Sequence, residues 1–190
     1  MAASGMRDLC TLGYHTIYNG MLAVLQRDGI LRHPHFIYPG EITITLDDVA
    51  RLLHLPIRGT LFHHGRMTKA EAQEMLITEL GADTDDALEE VEWTRGAHVL
   101  FSFLQRQYDA ELTAAHQAEG DELEQATHIE RALRCYFLYF IGTQLFVDTS
   151  STYTYVVYLT YLSDTACIHE YNWGAAVLTY NYHRLEEECL

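Results

Sequence analysis

The chain has 190 residues, a formal net charge of −15 and a hydrophobic content of 48%. This length predicts one domain, and the apolar content is high enough for a folded core, which excludes a disordered polypeptide. The negative charge repels phosphate backbones and anionic membranes, so we expect no direct nucleic-acid binding and no membrane association.

The chain opens with a helical pattern that ends at a histidine-containing break. Apolar residues recur at near-helical spacing between Met6 and Arg27, which predicts a helix. His33 and His35 lie two residues apart, but no third metal ligand is spaced to join them, so we interpret them as part of an exposed linker. We predict an N-terminal helix and linker at residues 1–34 and one globular domain at residues 35–190.

The cysteines and the chain ends bear on the cellular compartment of the protein and on whether the chain is a fragment. No C-x-x-C pair occurs, so we expect reduced intracellular thiols at Cys10, Cys135, Cys167 and Cys189. Met1–Arg7 leads into no compact apolar segment, so we expect no signal peptide. The abrupt ending after Glu186–Leu190 is consistent with a fragment or truncated copy of a longer protein.

A short hairpin and a capped helix are predicted next. Two β-type runs flank Pro39–Gly40, which predicts a small β-hairpin near residues 36–45. Thr45 and Asp48 form a capping box for the helix that follows. Glu41, Asp47 and Asp48 could also form an acidic metal site, but helix capping explains the aspartates without any metal.

Two further helices follow before the middle of the chain. Thr68 and Glu71 form a second capping box, and Gly81 is placed to end that helix. Thr84–Ala87 starts another helix. We interpret its acidic residues as a solvated face, because no calcium-binding loop surrounds them; they are Asp83, Asp85, Asp86, Glu89 and Glu90.

The core is expected to form around two long helices. Thr94–Glu119 is predicted to be one amphipathic helix, antiparallel to the next because the connection between them is short. The second helix, residues 128–147, is apolar on nearly all sides. It is interrupted by Arg131, Arg134 and Gln144, which makes it too short to span a membrane. We therefore predict a mainly α, single compact helical domain around this buried central helix.

The last third of the chain contains one ambiguous segment and one clear helix. Tyr153–Leu162 is rich in aromatic and β-branched residues, which favours a strand, yet its leucine and valine spacing also fits a helix. No partner strand is evident, so we favour a helix and leave the strand open. Trp173–Glu187 is predicted to be the final helix.

Four motifs occur in order along the chain and resemble the signature of the plant mobile domain family over roughly Phe36 to Leu185. They are Gly40–Gly59, Arg95–Val99, Arg134–Phe146 and Trp173–Leu178. The signature positions are Gly40, Glu41, Thr43, Thr45, Leu46, Asp48, Val49, Leu53, Pro56, Gly59, Gly142, Phe146, Trp173 and Gly174. The family includes Maintenance of Meristems-like proteins, long forms of plant phosphatase 7 and domains carried by transposable elements.

The family is often labelled aminotransferase-like, but the residues predict no enzyme. A pyridoxal-phosphate enzyme needs a lysine for its Schiff base, and the only lysine, Lys69, begins an acidic amphipathic helix. Cys167 and His169 lie two residues apart, yet Cys167 is also a typical small core residue. We therefore expect no catalytic residues, no cofactor and no metal.

The resemblance implies a non-enzymatic nuclear domain linked to meristem maintenance, gene regulation and transposon silencing. Its expected partners are proteins, including a phosphatase-7-like protein. Exposed tyrosine favours interfaces, which makes five residues the candidate contact surface: Tyr153, Tyr155, Tyr158, Tyr161 and Tyr182. The alternative is a nucleic-acid-processing or enzyme-like domain retained from a transposable element.

Overall fold

A computed structural model describes residues 36–38, 40–42, 44–147 and 152–188 of the chain. The predicted N-terminal helix, the linker at His33 and His35 and the boundary at residue 34 lie outside this part. The described chain is mainly helical with two small antiparallel sheets, which confirms the predicted fold class. It divides into two compact units, one comprising the described residues up to Phe62 and from Asn172 onward, the other His63–Tyr171.

The first unit contains the predicted hairpin and two helices. Strand β1 (Phe36–Tyr38) pairs antiparallel with β2 (Gly40–Ile42), as predicted. Helix α1 (Leu46–Leu53) packs against the last helix of the chain, α6 (Trp173–Glu188). The prediction of a helix at Trp173–Glu187 is confirmed, and the helix ends one residue later than predicted.

The second unit begins with two helices whose ends are set by local sequence. Helix α2 (Lys69–Leu80) starts at the predicted Thr68–Glu71 capping box and ends at Gly81, which has a left-handed φ of 70°. Helix α3 (Thr84–Trp93) starts at Asp83, whose side chain accepts a hydrogen bond from the Asp85 amide. Both helices agree with the sequence, which predicts α2 from its capping box and α3 from a start at Thr84–Ala87.

The long helix predicted from Thr94 begins later than expected. Thr94 ends α3, and the next residue, Arg95, has a positive φ of 56°, which breaks helical continuity. Strand β3 (His98–Leu100) follows, and helix α4 runs only over Phe101–Gln117. The prediction of a helix over Thr94–Glu119 is therefore wrong at its start.

The central helix overlaps the predicted range of 128–147 but begins six residues earlier. Helix α5 (Glu122–Phe140) continues into a π-helical turn at Ile141–Leu145. Its burial is confined to one face, because Ile129 and Leu133 on the other side remain exposed. Among the described helices, none is long and apolar enough to cross a membrane.

Helices α4 and α5 form the main pair of the second unit. Gln125 Nε2 donates to the Ala115 carbonyl at 3.2 Å, and His128 Nδ1 lies 2.6 Å from Glu111 Oε2. The later residue of α5 thus meets the earlier residue of α4, so the two helices are antiparallel, as expected from their short connection.

The ambiguous tyrosine-rich segment contains both predicted structures. Strand β4 (Tyr153–Tyr155) pairs with β3, and a 3₁₀ helix follows at Val156–Tyr161. The preference for helix is therefore wrong at the start of the segment. The partner strand was missed because it lies inside the region assigned to the long helix. A second 3₁₀ helix spans Thr165–Glu170.

Candidate functional site

The first signature motif builds the start of α1. The Thr45 side chain accepts a hydrogen bond from the Asp48 amide, and Asp48 Oδ2 accepts one from the Thr45 amide at 2.9 Å. The Thr45 hydroxyl also donates to Asp48 Oδ2 at 2.6 Å. The bonds that Asp48 accepts from this hydroxyl and from the Thr45 amide lower the pKa of Asp48, because they favour the ionised carboxylate. Asp47 forms an ion pair with Arg51 at 2.8 Å. Both aspartates thus have structural partners within their own helix, as capping predicts.

The signature residues of the first unit meet at the start of α6. The Gly174 amide donates to the Pro56 carbonyl at 2.8 Å, and Asn172 Nδ2 donates to the Ile57 carbonyl at 3.0 Å. A Cβ atom on Gly174 would lie 2.8 Å from Ile57 Cγ2, so only glycine fits without a shift. Trp173 is buried, with its ring edge-on to Phe62. This motif therefore joins a loop to a helix.

Two signature residues of the second unit lie at the π-helical turn. A Cβ atom on Gly142 would lie 2.5 Å from Thr154 Cβ and 2.8 Å from Phe101 Cε1. The close packing against β4 therefore leaves space only for glycine at this position. The Phe146 ring stacks on Tyr158 with a centroid distance of 4.7 Å. Both residues fix the junction between the central helix and the tyrosine-rich segment.

Packing or backbone conformation explains several of the remaining signature positions. Val49 is buried, Leu46 lies near Gly174, and Gly59 has a φ of 121° that favours glycine. Leu53 is partly exposed. The strands place Gly40 and Glu41 in β2, whereas Thr43 lies outside the described residues.

The candidate contact tyrosines separate into buried and half-buried groups. Tyr158 and Tyr161 are only 7% and 5% exposed, so both belong to the core of the second unit. This burial contradicts their assignment to an exposed contact surface. The Tyr161 hydroxyl is hydrogen-bonded to His64 Nδ1 at 2.7 Å, and burial raises the pKa of Tyr161. These two side chains stabilise the fold and leave little surface for a partner.

The other three tyrosines are half-buried and have structural contacts of their own. The rings of Tyr153 and Tyr155 each lie 4.7 Å from the His98 ring, measured between centroids. The Tyr182 hydroxyl donates to the Ile44 carbonyl. Their exposed edges remain the part of the predicted tyrosine surface that a partner can reach.

The acidic helix α3 holds a buried carboxylate that the sequence assignment missed. Glu90 is only 7% exposed, and its Oε1 accepts a hydrogen bond from the Leu100 amide at 2.6 Å. Burial raises the pKa of Glu90. The prediction of a solvated face is therefore wrong for this residue. Ala87 and Val91 flank it on the inward stripe, a helical spacing that could have revealed its burial.

A small pocket opens beside Glu90. Its volume is about 170 Å³, and its lining consists of Asp86, Glu89, Glu90, Trp93, Leu100 and Arg106. Arg106 forms a 3.3 Å ion pair with Asp86, and the Trp93 side chain on the same rim is 75% exposed. The pocket thus combines three carboxyl groups, one guanidinium and one exposed indole.

The two described cysteines and the lysine considered for catalysis differ in exposure and in their neighbours. A hydrogen bond to the Asp164 carboxylate raises the pKa of the Cys167 thiol, which opposes formation of the nucleophilic thiolate. Burial also raises the pKa of the Cys135 thiol. Lys69 is exposed at the first turn of α2. Within the described residues, no group of three or more His, Cys, Asp or Glu side chains could hold a metal ion.

A buried polar pair joins the two long helices. Glu111 is 5% exposed, and its second oxygen, Oε1, accepts a hydrogen bond from Gln107 Nε2 at 3.2 Å. His128 completes the pair from α5. Helical spacing indicates this burial, because Glu111 lies seven positions after the buried Leu104 on the same helical face.

Comparisons with known proteins identify relatives among plant proteins. MAIN-LIKE 1 of Arabidopsis thaliana is 32% identical over 151 residues, which cover 80% of this chain and 27% of that protein. MAINTENANCE OF MERISTEMS of the same plant is 25% identical over 175 residues, covering 92% and 34%. MAIN-LIKE 2 is 28% identical over 147 residues, covering 77% and 20%. This chain thus spans about a fifth to a third of the curated relatives it matches.

The family assignment rests on a match over most of the chain. No solved structure matches this protein. The sequence model of the plant mobile domain matches residues 30–189, a range that includes all four motifs described above. The chain therefore belongs to the plant mobile domain family.

Proposed function

We propose that this chain is a non-enzymatic nuclear domain that works by binding other proteins. The observation that carries this proposal is its net charge of −15, since a surface that follows a phosphate backbone needs clustered positive charge. The raised pKa of the Cys167 thiol and the exposed position of Lys69 support the absence of chemistry at these two residues.

The biological setting comes from the family and its named relatives. One relative carries the name MAINTENANCE OF MERISTEMS, which supports a role in meristem maintenance. The family resemblance extends this role to gene regulation and transposon silencing in the nucleus, with a phosphatase-7-like protein as a partner. The half-buried tyrosines Tyr153, Tyr155 and Tyr182 and the Trp93 pocket are the surfaces proposed to contact partners.

The experiment combines protein capture with DNA titration. The purified chain is immobilised and incubated at physiological salt with nuclease-treated plant nuclear extract, while random-sequence duplex DNA is titrated separately by fluorescence anisotropy. An unrelated acidic protein of similar charge serves as the control. We expect specific protein capture and no sub-micromolar DNA affinity.

The alternative function predicts the opposite pair of results. A nucleic-acid-processing domain would bind duplex DNA below micromolar concentration with a steep dependence on salt. It would also retain no protein beyond those captured by the acidic control. That combination would overturn the proposed function and favour a domain retained from a transposable element.

A further inference from the structure

The pocket between α3, β3 and α4 has an excess of negative charge. Asp86, Glu89 and Glu90 face one guanidinium, that of Arg106. Arg106 is paired with Asp86 at 3.3 Å, and its Cζ lies 5.2 Å from the centre of the Phe103 ring. The only basic side chain of the pocket is thus held at one wall, and the remaining carboxyl groups favour a cationic ligand.

Glu90 supplies a buried acceptor to this pocket. Its Oε1 is occupied by the Leu100 amide, whereas no donor in the described part of the chain hydrogen-bonds to Oε2. Oε2 is not among the buried side-chain atoms that lack a partner in the described residues, so it keeps access to solvent and a ligand in the pocket can reach it. A ligand that brings an N–H group to Oε2 would therefore gain a charge-assisted hydrogen bond.

Trp93 supplies an apolar wall beside the carboxylates. Its side chain is 75% exposed, so the indole is available for contact. A cation that lies over an indole face is attracted by the negative face of the ring. The same wall can cover the methylene groups of a long basic side chain, whose charged end would reach Glu90.

We propose that this pocket binds the side chain of a lysine or arginine presented by a basic segment of a partner protein. The volume of about 170 Å³ is well above what a single water molecule needs, so the end of one such side chain can enter. The inference rests on the proposed protein-binding function and specifies the chemistry of the partner. A quaternary ammonium fits less well, because it has no N–H group for Glu90 Oε2.

Nuclear magnetic resonance titration with short peptides tests this inference. The probe is the peptide acetyl-Gly-Gly-Lys-Gly-Gly-amide, with arginine, trimethyl-lysine and norleucine analogues. The indole N–H of Trp93 reports on the pocket, and that of the buried Trp173 is the internal control. We expect a saturable shift of the Trp93 signal with the lysine and arginine peptides, a weaker one with trimethyl-lysine and none with norleucine.

Two matched substitutions test the role of the buried carboxylate. Glu90→Gln keeps the acceptor for the Leu100 amide but removes the charge, and we expect it to weaken binding about three- to tenfold. Glu92→Gln removes the same charge from an exposed position on α3 outside the pocket lining, and we expect less than about a twofold change. Circular dichroism of both variants checks that they remain folded.

Some outcomes would overturn this inference without touching the proposed function. The pocket is not a basic side-chain site if norleucine shifts the Trp93 signal as lysine does, or if Glu90→Gln and Glu92→Gln have equal effects. The same holds if no peptide produces a saturable shift while nuclear proteins are still captured by the chain. In that last case the protein-binding function would stand and its surface would lie elsewhere.

Discussion

In the unit that contains α1 and α6, the contacts converge on a short segment, whereas in the unit His63–Tyr171 they are spread along several helices. Asn172–Gly174 supplies two hydrogen bonds to the Pro56–Ile57 carbonyls and one buried indole in the first unit. The second unit buries apolar side chains from Ala72 in α2 to Leu162 after the 3₁₀ helix.

This difference indicates how each unit should respond to substitution. A unit whose burial depends on one segment loses much of its stability when that segment is altered. A unit with distributed burial is sensitive mainly where the packing leaves no space or where a polar group is buried.

The largest effect is expected for Trp173→Ala in the first unit. Removing a buried indole should lower the free energy of unfolding by about 3–5 kcal/mol, because it leaves a cavity. Trp93→Ala is the matched control, since its side chain is exposed, and it should cost no more than about 0.5 kcal/mol. Chemical denaturation of both variants measures the difference, and equal losses would contradict the assigned burial.

A smaller effect is expected for Gly142→Ala in the second unit. The added methyl group would lie 2.5 Å from Thr154 Cβ, so overpacking should cost about 1–3 kcal/mol. Gly65→Ala is the control, because no atom lies within 4 Å of its added methyl group. Thermal unfolding of the two variants tests the prediction, which fails if Gly142→Ala is as stable as Gly65→Ala.

The two capping boxes allow the same bond to be compared in both units. Thr45→Ala and Thr68→Ala each remove a side-chain acceptor at a helix start, and each should cost about 1 kcal/mol. Thr→Ser at either position keeps the hydroxyl acceptor and should restore most of that stability. Hydrogen exchange of the first-turn amides in α1 and α2 reports the effect, and unchanged exchange in both Ala variants would contradict it.

The smallest effect is a pH dependence with opposite signs at two glutamates. Burial raises the pKa of Glu90 above its ordinary value of 4.5, so its contribution to stability falls as pH rises from 4.5 through the folded-state pKa. The groups that act on Glu90 are Glu89, the Leu100 amide and Arg106. Capping lowers the pKa of Glu71, so its contribution is lost as pH falls below 4.5.

Denaturation as a function of pH measures these two contributions. Glu90→Gln should gain stability relative to the unaltered chain as pH rises toward neutrality, because it removes the ionised buried carboxylate. Glu71→Gln should lose stability relative to the unaltered chain over the same change in pH. Parallel stability curves for all three proteins would show that neither glutamate has a shifted pKa.

The local parts of the fold could be predicted because their causes lie within a few residues. Thr45 and Asp48 are three positions apart, as are Thr68 and Glu71, and both capping boxes are present. Gly81 ends α2 because its left-handed conformation suits glycine. Such signals are complete in the sequence and depend little on distant contacts.

The remaining parts depend on residues that are far apart in the chain. Strands β3 and β4 pair His98 with Tyr155, so neither strand could be identified from its own neighbours. The 3₁₀ helix that follows β4 buries Tyr158 and Tyr161. The abundance of tyrosine in this segment favours exposed positions for both residues, so their burial could not be predicted from composition. The buried Glu90 carboxylate accepts a hydrogen bond from the Leu100 amide. Leu100 reaches Glu90 because the chain turns at Arg95, and this turn was not predicted.

Cross-linking in plant nuclei tests the protein-binding account most directly. The chain has a single lysine, Lys69, so a carboxyl-reactive cross-linker is applied, with and without prior nuclease digestion, and the products are identified by mass spectrometry. The account predicts cross-links to other proteins that persist after nuclease digestion. Loss of those cross-links after digestion would contradict it, because the association would then depend on nucleic acid.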